Sequence, residues 1–165
     1  MTATVASRYQ FLPPPEDYVG EVKANVNLQN VFDLERVAAG QMAVDAVRAL
    51  DILMVVDTGA NSLVLPEEVR EQLGSRIIRH TSVEYADGRI DERPVAGPVQ
   101  LEVLGRLSNF DFVVGPRGTV ALLGQVVLEM LDLLVDCKNQ RLVVNPQSPY
   151  QTRYAIRATS HSSRA

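Results

Sequence analysis

One short segment of this chain places a carboxylate where a strand would bury it. Ile52-Leu53-Met54-Val55-Val56 is a continuous apolar run, and Asp57-Thr58-Gly59-Ala60-Asn61-Ser62 follows directly. An unbroken apolar run of this length predicts a strand buried on both faces. Desolvating a lone carboxylate at its end is costly, and such local conflicts concentrate at functional sites. The neighbours suit a working acid. Thr58 offers a hydroxyl to nearby backbone. Gly59 has no Cβ, so backbone N–H groups can approach a carboxylate or a ligand closely, and Ala60 keeps the site small. Asp, Thr and Gly are also common turn residues, so the triplet alone leaves a plain strand exit open.

Other chemistries find less support. His80 and His161 are isolated, which speaks against a metal site. Ser62 has no evident histidine partner for a serine triad, and glycine-rich phosphate motifs are absent. We expect no metal and no cofactor. Cys137 is the only cysteine, so no intrachain disulfide can form and a cysteine-based zinc site is not expected. Its apolar setting, Leu133-Leu134-Val135-Asp136-Cys137, predicts a buried, inert thiol. The net charge of −4 and 5% aromatic content without Trp argue against a nucleic-acid partner, which needs cations for phosphates and rings for bases. No apolar run nears the roughly 20 residues of a membrane helix, so no membrane partner is expected. With no basic start followed by an apolar stretch, a cytoplasmic location is the expectation.

The elements that must position Asp57 read mostly as strands. Val22, Ala24, Val26 and Leu28 alternate with polar residues, as do Val99, Leu101 and Val103, which is the period of a half-buried strand. Phe110–Val114 and Arg141–Val144 are further strands. Asp87-Gly88, between Ser82-Val83-Glu84-Tyr85 and Arg89-Ile90, signals a β-hairpin. A helix is predicted from Pro66 through Leu73, with acids at its positive end and Gly74 as its stop. A second follows Gly124, with Val127, Leu128 and Leu131 on one face, and the region from Asp33 to Ala39 could hold a third. The composite is an all-β, small closed barrel with one or two short helices. It spans 18–146, after an extended or mobile arm at 1–17 and before a partly disordered tail at 147–165.

In this setting Asp57-Thr58-Gly59-Ala60 resembles the active-site motif of the aspartic peptidases, in the form of the retropepsin-like (retroviral-type) branch. Ala121-Leu122-Leu123-Gly124 followed by a helix resembles the hydrophobic-glycine element that packs behind the active-site loop in that family. The Asp87-Gly88 hairpin falls where the family has its flap. The resemblance runs from about Val19 to Asn145 and fits a bacterial-type single-lobe member. It implies Asp57 as the catalytic acid/base. Thr58, Gly59, Leu123 and Gly124 would support the active-site loop, with Thr58 locking two such loops together. Ala60, Asn61, Ala86, Asp87 and Gly88 would contact substrate. The chain departs from the retroviral pattern in three places. Asn61 stands where those enzymes usually have Asp, Gln125 where a basic residue is common, and Val126 where many relatives carry Asp or Asn. The charged pair of the family is therefore absent, and a hydrogen bond between the two amides could replace it.

Aspartic peptidases hold water between two carboxylates, which about 3 Å apart share one proton. This chain has one Asp-Thr-Gly. Asp136 follows an apolar run but lacks the glycine, and Asp87 lies in a polar hairpin. The expectation is therefore an isologous homodimer acting as an endopeptidase on a peptide or protein substrate, with Arg141 to Asn145 and Pro149 to Ala158 as segments that could pair across it. The alternative is a catalytically inactive peptide-binding or dimerisation module on the same barrel.

Overall fold

The computed structural model describes residues 20–152. The expected arm at 1–17 and the end of the expected tail lie outside the described residues. The alternation read from Val22 to Leu28 becomes strand β1 (Val22–Asn30), with its apolar side chains turned inward. β1 pairs antiparallel on one edge with β2 (Ala49–Val56), from Val22↔Val56 to Gln29↔Ala49. On its other edge it pairs with β5 (Ile90–Val103), from Asn27↔Glu102 to Asn30↔Val99. Around the ring, β2 runs parallel to the short β7 (Leu122–Leu123) and β7 antiparallel to β3 (Val64–Pro66). β3 is parallel to β6 (Arg106–Gly115), and β6 is antiparallel to β5, which returns to β1. Six strands thus close a small barrel, and β4 (Ile77–Glu84) continues the sheet outside it on β5. Leu28, Met54, Leu65, Leu101 and Leu123, each 0% exposed, fill the centre. Closure also removes the open edges that a flat sheet of these strands would present.

β2 differs from the both-faces-buried strand its composition predicts. Ile52 and Met54 face the core, while Leu53 is 38% exposed. A barrel wall has one inner and one outer face, and Leu53 lies on the outer one, opposite the exposed Asn25 across the ladder.

Among the described residues there are three short α-helices. α1 (Val31–Ala38) covers the region around Asp33 to Ala39; Asn30 caps it by accepting from the Asp33 N–H. α2 (Glu67–Leu73) has Pro66 at its N-cap, one position earlier than a first-turn proline, and Gly74 ends it at φ 60°. α3 (Gln125–Met130) follows Gly124 and buries Val127 and Leu128 as expected, with Leu131 just beyond.

Asp33 ties α1 to the barrel. Its carboxylate, 1% exposed, accepts from the Arg48 backbone N–H at 3.1 Å, from Nε at 2.7 Å and from Nη2 at 2.8 Å. The Arg48 hydrogen bonds hold the Asp33 carboxyl below its ordinary range, against the opposing effect of burial. Replacing Asp33 with asparagine is expected to lower unfolding stability at neutral pH by about 2 kcal/mol, read from urea midpoints. Arg48 is half exposed and can rehydrate, which keeps the loss below that of breaking a fully buried pair. Because the folded-state value is the lower one, the stabilisation is complete above the unfolded carboxylate value. It is lost as pH falls through the folded value. The gap between native protein and Asp33→Asn is therefore expected to close below about pH 4.

After α3 the chain forms a separate hairpin of β8 (Leu133–Asp136) and β9 (Arg141–Val144), antiparallel from Leu133↔Val144 to Asp136↔Arg141. Cys137 lies in its turn and is exposed, not buried. The apolar residues before it belong to β8, and the turn that follows carries Cys137 away from the core. The segment after β9 packs back on the barrel. Asp132 accepts from Asn145 Nδ2 at 2.8 Å and from the Ser148 hydroxyl, while Arg106, only 5% exposed, donates to Ser148 O and, at 3.0 Å, to Thr152 Oγ1.

Candidate active site

Asp57 is the first residue past β2, and its position is fixed by the strand that runs beside it. The Val55 N–H donates to Ala121 O and the Asp57 N–H to Leu123 O, both at 3.0 Å. β7 sits between β2 and β3, so the segment from Asp57 to Leu63 leaves the sheet on one side of β7 and re-enters on the other. Within this loop the Gly59 N–H donates to Asp57 Oδ1 at 2.9 Å, and the Ala60 N–H to Asp57 O at 3.2 Å. A Cβ on Gly59 would lie 3.2 Å from that same carboxylate oxygen, so glycine lets the backbone close under the acid. Asp57 is half-buried, Ala60 likewise, and Thr58 and Asn61 are exposed. The arrangement is an acid whose backbone and one oxygen are held while the rest of the carboxylate stays accessible.

Leu123 and Gly124 close the loop from behind. Leu123 is fully buried. A Cβ on Gly124 would collide with Ser62 O and lie 2.7 Å from Ala60 O, so only glycine fits between helix and loop. The first N–H groups of α3 complete the contact: Gln125 N–H donates to Ala60 O at 2.7 Å and Val126 N–H to Asn61 O at 3.1 Å. A helix start leaves such donors unpaired, and here the loop carbonyls accept them. This explains how the chain manages with neutral residues at 61 and 125. The Gln125 side chain turns to Glu129 Oε1 at 2.8 Å, and backbone amides make the loop–helix link instead of an Asn61–Gln125 side-chain bond. The role of the α3 amides was not read from the sequence, although a glycine directly before a helix is the signal that permits it.

Ala86, Asp87 and Gly88 form the tip of the β4–β5 hairpin. Tyr85 N–H donates to Arg89 O at 2.9 Å, Gly88 N–H to Tyr85 O at 2.8 Å and Arg89 N–H to Asp87 Oδ1 at 3.0 Å. With Gly88 at φ 81°, the tip is a three-residue loop whose last position needs glycine. The Arg89 guanidinium lies 4.4 Å from the Tyr85 ring centroid. The tip residues are exposed, and among the described residues no hydrogen bond joins them to the Asp57 loop. The structure therefore brings Asp57, Thr58, Gly59, Ala60 and Asn61 together with Leu123 and Gly124, and places Ala86, Asp87 and Gly88 at the hairpin tip.

A family model described as aspartyl protease matches residues 46–128, just over half of the chain. The chain belongs to the aspartyl protease family. The match takes in the Asp57 loop, the hairpin and most of α3, and it is of the retropepsin-like kind the motif resembles. In this protease β1, which closes the barrel, and the β8–β9 hairpin both lie outside the matched span. No curated protein matches the chain.

Proposed function

We propose that the protein is a homodimeric aspartic endopeptidase in which Asp57 of each chain faces its mate across a two-fold axis. The observation that carries this is the Asp57 carboxylate itself: half-buried at the end of β2, one oxygen held by Gly59, in a chain with a single Asp-Thr-Gly. One such acid supplies half of the acid/base pair. With two, the ionised carboxylate takes a proton from the trapped water as that water attacks the peptide carbonyl, and the protonated one polarises the carbonyl oxygen. Proton transfer to the amide nitrogen then releases the amine. The exposed Thr58 would meet the partner loop. Val126, in the first turn of α3 beside the loop, and Leu134 on β8 are 48% and 46% exposed, apolar surface that a second copy would cover. Among the described residues β9 pairs with β8 alone, and its second edge is the one that would take a partner strand.

Subunit mixing tests the reading. Adding an equal amount of Asp57→Asn chain to a fixed amount of native chain should lower the peptidase rate to about half, because random exchange traps native chains in mixed dimers. An unchanged rate after full exchange would show that one chain suffices. Dimerisation without cleavage of any peptide would select the inactive binding module.

A further inference from the structure

We propose that Arg93 latches the hairpin of β4 and β5 onto the barrel wall and so positions the flap over the substrate, an inference that rests on the peptidase reading above. β5 pairs with β6 as far as Val95↔Val113, the last rung toward the hairpin. Beyond it, Pro94 to Ile90 pair with β4 alone. β6 nevertheless runs on through Val114 to Gly115, held on its other edge by β3. A ladder that stops there gives the Val114 carbonyl no strand amide from β5. Arg93 supplies the donors instead, with Nε 3.0 Å and Nη2 2.9 Å from Val114 O.

Two N–H groups of one planar guanidinium converging on a single oxygen fix direction as well as distance. The Arg93 side chain is only 21% exposed, and Asp91 lies 3.8 Å from its Nη1. Water therefore competes weakly for the bond. Its target is placed to matter for the site. Val114 is opposite Leu65 in β3, and β3 is the strand into which the Asp57 loop runs. The latch thus joins the hairpin to the wall that carries the loop. Among the described residues no other hydrogen bond ties the hairpin beyond Val95 to the barrel wall.

Hydrogen exchange and peptidase kinetics on the full chain test this together. Arg93→Met keeps the aliphatic length and removes the donors. The latch predicts that amides of 80–92 exchange about tenfold faster in this variant while β1 and β2 keep their native protection. KM should rise about fivefold or more with kcat within about twofold, since flap placement acts on binding rather than on the acid. Arg93→Lys, with its single-point donor, should fall between the two. Unchanged exchange in the hairpin overturns the proposal. So does faster exchange throughout the barrel in both Arg93→Met and Arg93→Gln, because Arg93 would then hold the barrel and not the hairpin. If the native protein cleaves no peptide, the peptidase reading fails alone, and the exchange of the hairpin still decides whether the latch exists.

Discussion

Asp57→Asn is expected to abolish peptide cleavage, with a fall in kcat of about 10⁴-fold, while leaving the fold in place. The two halves of that expectation come from different atoms of one side chain. Asparagine keeps an oxygen that can accept the Gly59 N–H now bonded to Oδ1, and the backbone bond from Asp57 N–H to Leu123 O is untouched. The melting temperature should therefore move little, within about 0.5 kcal/mol in stability terms. What the amide cannot do is take a proton from water or share one with a partner carboxylate. A discontinuous peptidase assay beside a circular-dichroism melt checks both. Residual activity within about tenfold of native would mean that another group carries the chemistry.

Gly124→Ala is expected to do the opposite: to damage structure and activity together. The added Cβ meets two carbonyl oxygens of the Asp57 loop, Ser62 O and, at 2.7 Å, Ala60 O. Neither is the end of a flexible side chain. Both belong to backbone, and Ala60 O is itself bonded to the Gln125 N–H. Relief requires α3 to lift from the loop, exposing part of the packing of the buried Val127 and Leu128. Overpacking against backbone of this kind should cost about 3 kcal/mol. A loop displaced by about 1 Å should lose about 10²-fold in kcat. Thermal melts and kcat measured on the folded fraction separate the two losses. A stable, fully active Gly124→Ala would show that helix and loop do not need their close approach.

The contrast between these variants follows what is local and what is not. The acid, its glycine and the glycine before α3 were legible in the sequence because each is a backbone requirement expressed within a few residues: an apolar run that stops at a carboxylate, a missing Cβ, a turn. The alternation that makes β1 and the inner half of β5 was legible for the same reason. The Asp87-Gly88 hairpin was too, although its turn holds three residues and its strands extend further on both sides. Where reading by pattern failed, strand pairing and not composition decided which side chains are inside. Leu53 carries the same apolar signal as Met54 but points outward, because barrel closure and not composition decides which face is inside. Cys137 looked buried from its neighbours and is exposed, because β8 turns there to meet β9.

By itself the sequence determined the chemistry on offer and the local geometry that holds it: one carboxylate at a strand end, on a loop that glycine lets close beneath it. Only the tertiary structure decided what anchors that loop. The glycine before α3 permits its backbone amides to reach the loop, but every helix start has such amides, and their use depends on β7 threading between β2 and β3 to bring Gly124 against the loop. The same holds for Asp33 with Arg48, whose pairing joins α1 to the residue just before β2. Side-chain types can be read one residue at a time; hydrogen-bond partners across the barrel are set by which strands close it, and closure is a property of the whole chain.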